Sequence, residues 1–279
     1  GMVLVGFGTS MPELAVNLTA VFDNRLDLAV GNVVGSNISN VGLILGTAAL
    51  IAPMAVPRRV FRSELPVLIG LSLGFWLLVF DGRLGRIDAG VLLVGFAVMM
   101  VVMARGGRQA PAEVEDEIGV DAEQARQATW PHVWRLVVGL ALLLGGSKMM
   151  VDAAVSLALA WGVSELVIGL TVVAIGTSLP ELAASVVAAL KGEAEIAVGN
   201  VLGSNVFNLL LILGVTGMVQ PLPVAASLVR VDIALMVAFV VVLYPLALRK
   251  RKLGRAAGLV LLAGFAAFLV SQFLRTPMA

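Results

Sequence analysis

The sequence has 279 residues, of which 59% are hydrophobic and 13% charged, with a mean hydropathy of +1.02 and a net charge of +1. Soluble domains carry about a quarter charged residues, so this chain has too little polar surface for a water-soluble globule. The lack of cysteine excludes disulfides, the single histidine His132 excludes a multi-histidine metal site, and the charge gives no reason to expect a nucleic-acid partner.

Nine apolar segments follow one another along the chain, each about the length that a helix needs to cross a bilayer. Continuous apolar runs indicate helices, because apolar and polar residues alternate in the strands of membrane barrels. The segments cover residues 1–22, 27–52, 64–80, 87–104, 133–160, 164–190, 195–219, 231–247 and 257–274. We therefore predict an all-α integral membrane protein.

One acidic, polar stretch at residues 105–131 separates two apolar parts, 1–104 and 132–279. Its composition is typical of a solvated linker between two domains. When the loops are assigned alternately to the two sides, 13 Lys and Arg residues fall on the linker side and five on the other. The excess of positive charge predicts a multi-pass protein of the inner or plasma membrane with a cytoplasmic linker.

The two apolar parts are copies of one another, offset by 168 residues. GTSMPEL at 8–14 matches GTSLPEL at 176–182, and VGNVVGSN at 30–37 matches VGNVLGSN at 198–205. The matches extend beyond these motifs, which indicates a full-length duplication. Equivalent spans are five apart, and an odd number of crossings places the copies in opposite orientations, as an inverted-topology repeat.

The second copy contains a span, 133–160, whose counterpart would precede Gly1. We therefore expect five helices in each copy and ten in the complete plan, with the first helix missing from this chain.

Each copy places a proline inside a span, at Pro12 and Pro180. Proline removes a backbone donor and interrupts the helix before it. We expect this break to free carbonyl groups from helical hydrogen bonding near Val5, Gly6, Val173 and Ala174.

Glu13 and Glu181 follow these prolines directly. Acids within a membrane span are costly and usually mark an ion or proton path. The alternative is a buried ion pair, but Lys148 is the only base inside a span and cannot serve two symmetric glutamates. Two carboxylates at one midplane site, with hydroxyl and amide oxygens around them, suit a hard cation such as Ca²⁺ or Na⁺. The neutral oxygens come from Thr9, Ser10, Ser36, Asn40, Thr177, Ser178, Ser204 and Asn208.

Four further asparagines, Asn32, Asn37, Asn200 and Asn205, allow two interpretations. They line the site, or they support the broken helix ends by bonding backbone groups. We favour structural support.

The paired GTSxPEL and GNVxGSN segments resemble the alpha repeats of the cation/calcium antiporter superfamily, most closely its prokaryotic sodium/calcium exchanger branch. The resemblance covers essentially the whole chain and implies exchange of Ca²⁺ for Na⁺ by alternating access, without a cofactor. It places the acidic ligands of the family at Glu13 and Glu181. It places the hydroxyl ligands at Thr9, Ser10, Ser36, Thr177, Ser178 and Ser204, and the flanking polar pair at Asn40 and Asn208.

One departure leaves the coupling ion open. Some members of the superfamily have aspartate at the position of Asn208, so H⁺ or K⁺ involvement is an alternative to Na⁺ alone. The rival functions are a Ca²⁺/H⁺ or other cation/proton antiporter and, less favoured, a passive cation channel. An enzyme is disfavoured because no nucleophile or further metal-ligand set accompanies the glutamates. The expected partners are inorganic cations and the lipid bilayer, and nothing in the sequence indicates a protein partner.

Overall fold

The computed structural model describes residues 8–107, 129–160, 162–248 and 251–275. Helices account for nearly all of these residues, which confirms the all-α fold. The described helices are α1 Met11–Phe22, α2 Leu26–Ile51, α3 Val60–Leu78, α4 Arg86–Gly107, α5 Thr129–Ala160, α6 Glu165–Thr177, α7 Leu179–Leu190, α8 Ala194–Val219, α9 Leu228–Leu248 and α10 Arg255–Arg275.

Five of the described helices, α2, α3, α8, α9 and α10, are long and apolar enough to cross a membrane. A sixth crossing is formed by α6 and α7 together, which meet at an angle of 45°. The helix α1 has only 12 residues, because it begins at the break that precedes Met11, and residues 1–7 lie outside the described residues. A helix thus lies at every location where the sequence predicts a span.

The helices on either side of the predicted linker extend into it. The helix α4 continues to Gly107 and α5 begins at Thr129, so both ends of the 105–131 segment are helical. Residues 108–128, the rest of that segment, lie outside the described residues.

Several long helices contain a widened π-helical turn. In α2 it covers Asn40–Leu45 and in α8 Asn208–Ile212, so the two predicted flanking asparagines begin equivalent π segments. A third lies in α6 at Gly169–Val173, just before the helix break. Such turns shift the direction of the side chains that follow and occur often at functional sites.

Short antiparallel ladders join the two copies near both ends of the helices. Strand β1 (Met54–Ala55) pairs with β4 (Lys252–Leu253), and β2 (Arg83–Leu84) pairs with β3 (Leu222–Pro223). Each ladder takes one strand from each copy, so the loops of the two halves are fastened to one another. The sequence did not predict these strands.

The polar interior of the molecule lies along α2 and α8, the two most buried of the spanning helices. The peripheral helices expose large apolar side chains instead, as at Leu77 and Ile87, which are 75% and 84% exposed. This arrangement is typical of a membrane protein, whose polar groups face inward while its apolar groups face lipid.

Glycines bring α2 and α6 into backbone contact. A Cβ atom on Gly35 would lie 2.3 Å from the carbonyl oxygen of Leu170, and one on Gly31 would lie 2.8 Å from that of Leu166. Only glycine fits such an approach. The contact holds the helix break at Ser178 against the middle of α2.

Candidate cation site

The two glutamates lie in the first turns of α1 and α7, directly after matching breaks in the backbone. Ser10 and Ser178 stand at the breaks with nearly identical conformations, φ/ψ of −85°/6° and −84°/7°. Each break is followed by a proline in the first turn of the next helix, where a missing N–H costs nothing. The two copies thus present a glutamate in the same local geometry.

The carbonyl group of Ala174 is not free, which corrects the expectation from the sequence. It accepts hydrogen bonds from the backbone N–H of Ser178 at 3.2 Å, from Thr177 Oγ1 at 3.3 Å and from Ser36 Oγ at 3.5 Å. The physical reason is the position of the break: Pro180 removes the donor that would serve the carbonyl four residues earlier, at Gly176. The counterparts Val5 and Gly6 lie outside the described residues.

Both glutamates are fully buried, and each is bonded by a serine of the other copy. Ser178 Oγ lies 3.3 Å from Glu13 Oε1, and Ser10 Oγ lies 3.1 Å from Glu181 Oε1. Ser204 Oγ approaches the same oxygen of Glu181 at 3.5 Å. The structure therefore assembles one composite cluster from the two halves of the chain, rather than one site in each.

The threonines and Ser36 extend this cluster along the interface. Thr177 Oγ1 lies 3.4 Å from Ser36 Oγ and 3.2 Å from Asn32 Oδ1. The equivalent threonine, Thr9, bonds the equivalent asparagine, Asn200, at 3.4 Å. Every one of these contacts to a threonine joins residues of different copies.

The flanking asparagines break the symmetry. Asn40 Nδ2 donates to Asn205 Oδ1 at 2.9 Å, whereas neither side-chain atom of Asn208 has a hydrogen-bond partner among the described residues. Asn205 Nδ2 in turn donates to the backbone carbonyl of Asn37 at 3.4 Å, and Asn37 Nδ2 to that of Val33 at 3.0 Å. Asn37 and Asn205 thus support backbone, as favoured from the sequence.

Four buried side-chain oxygens of the predicted set have no hydrogen-bond partner among the described residues: Glu13 Oε2, Glu181 Oε2, Asn40 Oδ1 and Asn208 Oδ1. Burying a carboxylate oxygen without a partner is costly. A dehydrated cation is the chemical species that such oxygens accept in place of a donor. Within the described ranges, no three His, Cys, Asp or Glu residues lie close enough together to hold a metal ion. The negative charge of the cluster therefore comes from the two glutamates.

A cleft of about 590 Å³ runs beside the cluster between α1, α5 and α6. It is lined at one end by Pro12 and Val173, next to Glu13 and the break in α6, and at the other by Asp23, Arg25 and Asp152. The length of α1 from Pro12 to Asp23 corresponds to about 16 Å. The cleft therefore leads from a polar loop to the edge of the buried cluster.

Of the ten oxygen donors predicted from the sequence, eight make a side-chain contact across the interface of the two copies. Ser204 contacts Glu181 within its own copy, and the side chain of Asn208 makes no hydrogen bond among the described residues. Their role as cation ligands stays a prediction.

For Asn32 and Asn200 the sequence left open whether they line the site or support backbone, and it favoured support. The structure places both against the threonines, and Asn200 also bonds the backbone carbonyl of Glu181. Two features of the sequence point to this role of Asn32 and Asn200. They occupy the same position in the two copies, and the opposite orientation of the copies places each asparagine beside the threonine of the other copy.

Comparison with known proteins identifies the family of this chain. A family model described as sodium/calcium exchanger protein matches residues 1–105 and 131–274. The chain is 41% identical over 269 residues to CaxA of Alkalimonas amylolytica, covering 95% of this chain and 84% of CaxA. It is 31% identical over 307 residues to the sodium/calcium exchanger MaX1 of Methanosarcina acetivorans, covering 98% and 88% of the two chains.

The fold is also similar to that of a solved exchanger. The sodium-calcium exchanger NCX_Mj, soaked with 10 mM Na⁺ and zero Ca²⁺, superposes with a TM-score of 0.78 and 30% sequence identity, covering 97% of this chain and 86% of that one. These likenesses define a multi-pass membrane antiporter of cations rather than an enzyme. The chain belongs to the sodium/calcium exchanger protein family.

Proposed function

We propose that this protein exchanges Ca²⁺ for Na⁺ across the membrane by alternating access, with both ions competing for the cluster around Glu13 and Glu181. The observation that carries the proposal is that each buried glutamate has one oxygen bonded by a serine of the opposite copy and a second without a partner among the described residues. One Ca²⁺ or several Na⁺ would neutralise the two carboxylates.

Competition at one site supplies the coupling. Without a cation the two carboxylates would lie buried close together, which desolvation and mutual repulsion oppose. When bound cations neutralise the two glutamates, the protein can close over the site. When the site is empty, the charge of the glutamates opposes closure. The empty carrier therefore crosses poorly, and movement of one ion requires return of the other.

The inverted halves, residues 1–104 and 132–279, provide the two-sided access that this scheme needs. In secondary transporters of this plan the broken helices at the interface of the repeats hold the ions, and the repeats rock around them. We further propose that the 105–131 linker is cytoplasmic and that the protein resides in the inner or plasma membrane, on the basis of its Lys and Arg distribution.

Sodium is favoured over protons as the counter-ion by the number of neutral oxygens. A proton needs only one carboxylate oxygen, whereas a metal ion needs several oxygens arranged around it. Hydroxyl groups of Ser10 and Ser204 contact Glu181, and that of Ser178 contacts Glu13. A simple proton carrier would not require this number of neutral oxygens. A Ca²⁺/H⁺ antiporter is the alternative outcome of the test.

The test is ⁴⁵Ca uptake into liposomes that contain the purified protein. Gradients of Na⁺, H⁺ and K⁺ are imposed separately, and we expect uptake with the Na⁺ gradient. Uptake driven by a pH gradient without Na⁺ would establish the proton alternative, and flux that needs no counter-ion would establish a channel.

The site is tested by Glu13→Gln and Glu181→Gln, each of which removes one charge while keeping the shape. We expect Na⁺-driven uptake to fall to background in both. The matched control is Glu64→Gln, since Glu64 is also an acid at the start of a span but pairs with Arg59 at 3.4 Å, away from the cluster. Retained transport in both site variants would exclude the assignment.

A further inference from the structure

Two asparagines outside the proposed ligand set lie directly behind its threonines. Asn32 Oδ1 faces Thr177 Oγ1 at 3.2 Å, and Asn200 Oδ1 faces Thr9 Oγ1 at 3.4 Å. Asn32 and Asn200 occupy the same position in the two copies, 168 residues apart, and both are buried, with 0% and 2% exposure. The same contact is therefore made twice, in opposite directions across the interface.

The orientation of the Asn200 amide is fixed by its other contacts, whereas Asn32 Nδ2 has no hydrogen-bond partner among the described residues. Asn200 Nδ2 donates to Ser185 Oγ at 3.0 Å and to the backbone carbonyl of Glu181 at 3.3 Å, which directs Oδ1 towards Thr9. Asn32 Oδ1 also lies 3.4 Å from Ser36 Oγ, so two hydroxyl groups are within its reach. Each hydroxyl has one proton, and the carbonyl of Ala174 is the second acceptor near both, at 3.3 Å from Thr177 and 3.5 Å from Ser36.

The consequence for a hydroxyl ligand follows from its chemistry. A hydroxyl group binds a cation through an oxygen lone pair, so its proton must point away from the ion. An amide oxygen can only accept, and in a buried cluster it provides a place for that proton which bulk water would otherwise supply. Groups that orient ligands in this way contribute to metal affinity without touching the metal.

We propose that Asn32 and Asn200 are positioning residues, which turn the hydroxyl protons of Thr177 and Thr9 away from the transported cation. Because each asparagine belongs to the opposite copy from its threonine, the pair also ties the ligands of one half to the central helix of the other. This inference rests on the proposed function, since the threonines must act as ligands.

The two copies differ in one respect that the proposal uses. Asn200 holds the Glu181 carbonyl as well as Thr9, whereas in the first copy the Glu13 carbonyl is bonded by Asn17 Nδ2 at 2.8 Å. Asn200 therefore has two duties at the cluster. Loss of Asn200 should weaken cation binding more than loss of Asn32.

The experiment is a double-mutant cycle between Asn200→Leu and Thr9→Val, read as equilibrium binding of ⁴⁵Ca to the purified protein and its displacement by Na⁺. We expect Asn200→Leu to raise the Ca²⁺ dissociation constant or the half-displacing Na⁺ concentration about tenfold. Thr9→Val should also weaken binding, and the loss in the double variant should be smaller than the product of the two single losses, because both substitutions remove the contact between Asn200 and Thr9.

Three controls separate positioning from a general loss of structure. Asn200→Asp keeps an acceptor oxygen towards Thr9 and should bind more like the parent protein than Asn200→Leu does. Thr216→Val removes a buried hydroxyl whose partners among the described residues are backbone carbonyls of its own helix, at 2.6 and 3.3 Å, and should leave binding unchanged. Size-exclusion profiles of all variants report whether they fold.

Each outcome decides the matter. Unchanged constants in Asn200→Leu, or effects that multiply in the double variant, would overturn the positioning role while leaving the proposed exchange intact. Failure of the proposed function is recognised separately, because Glu13→Gln would then bind Ca²⁺ as tightly as the parent protein.

Discussion

The most informative residue of the cluster is Asn208, where the two copies have the same residue but different contacts. Its counterpart Asn40 is held by Asn205, but the amide of Asn208 has no hydrogen-bond partner among the described residues. A carboxylate at this position would replace an unbonded amide, and no existing hydrogen bond would be lost. The position is therefore open to a change of charge.

We predict that Asn208→Asp raises the affinity for Ca²⁺. A third acid beside two others adds attraction for a divalent ion, and charges about 4 Å apart interact by about 4 kcal/mol at an effective dielectric constant of 20. Desolvation of the new acid offsets part of this gain, so we expect an increase of about tenfold. The measurement is the Ca²⁺ concentration dependence of ⁴⁵Ca binding at constant Na⁺.

Asn40→Asp is the comparison that tests the reasoning. It adds the same charge at the equivalent position but removes the amide donor that bonds Asn205 Oδ1. Leaving a buried acceptor unsatisfied costs about 1–3 kcal/mol, so this variant should unfold at a lower temperature than Asn208→Asp. Equal stability of the two variants would contradict the asymmetry described for the amides.

The internal repeat of the sequence was enough to select the candidate residues of the site. Polar residues matched in both copies had to be important, and acids inside a span had to be buried near one another. Repetition does not show whether an amide faces an ion, a hydroxyl or a backbone carbonyl. It also does not show where equivalent residues make different contacts. Asn17 and Ser185 are equivalent positions, yet Asn17 Nδ2 donates to the Glu13 carbonyl, whereas Ser185 Oγ accepts a hydrogen bond from Asn200 Nδ2.

At the scale of the elements, the contact between α2 and α6 sets the distance between the copies. We predict that Gly35→Ala lowers the unfolding temperature markedly, because its Cβ would lie 2.3 Å from the Leu170 carbonyl oxygen and 2.7 Å from Ala174 Cβ. Overpacking of this kind costs about 1–3 kcal/mol or more, since backbone must move. Thermal unfolding followed by size-exclusion chromatography measures the effect.

The control for this prediction is Gly74→Ala in α3. Nothing lies within 4 Å of a Cβ at Gly74, so the substitution adds no clash. Alanine is favoured over glycine inside a helix by about 1 kcal/mol, and the unfolding temperature should stay the same or rise. If both variants lost stability to a similar extent, the loss could not be attributed to the close approach at Gly35, and the prediction would be wrong.

Helices were predictable because their signal extends over twenty residues, whereas smaller elements were not. The ladders contain two residues in each strand, too few for any alternation of apolar and polar side chains to appear. The π segments begin at residues such as Asn40 and Asn208 that fit an ordinary helical pattern equally well. These features depend on contacts between the copies, which the sequence of one segment does not record.

At the scale of the whole molecule, the two ladders indicate which parts stay together during transport. The ladders join the loops that connect α2 to α3 and α9 to α10, and those that connect α3 to α4 and α8 to α9, at positions related by the internal repeat. None of these loops lines the cleft beside α1 and α5. The motion that exposes the cluster to either side should therefore occur at the cleft beside α1 and α5, rather than within this fastened frame.

We predict that a disulfide between Ala55→Cys and Lys252→Cys leaves transport intact. Ala55 and Lys252 are direct partners in the antiparallel ladder, and Cα atoms of such partners lie about 4.5–5.5 Å apart, within the range of a disulfide. The chain contains no other cysteine that would interfere. Na⁺-driven ⁴⁵Ca uptake measured before and after reduction should be equal, and inhibition relieved by reduction would show that the frame itself moves.

The ladders also make the topology testable without relying on charge alone. Arg58 lies between β1 and α3, and Arg83 lies in β2, at the other end of α3. With the charge distribution as a guide, Arg83→Cys should react with a membrane-impermeant maleimide in intact cells, and Arg58→Cys only after permeabilisation. Lys252→Cys must behave like Arg58→Cys, because β4 pairs with β1 and both therefore lie on one side. Reversed labelling of all three variants would invert the predicted orientation but keep the fold. Labelling of Arg58→Cys and Arg83→Cys from the same side would mean that α3 does not cross the membrane. The number of crossings between the copies would then no longer be odd, and the copies would not be inverted.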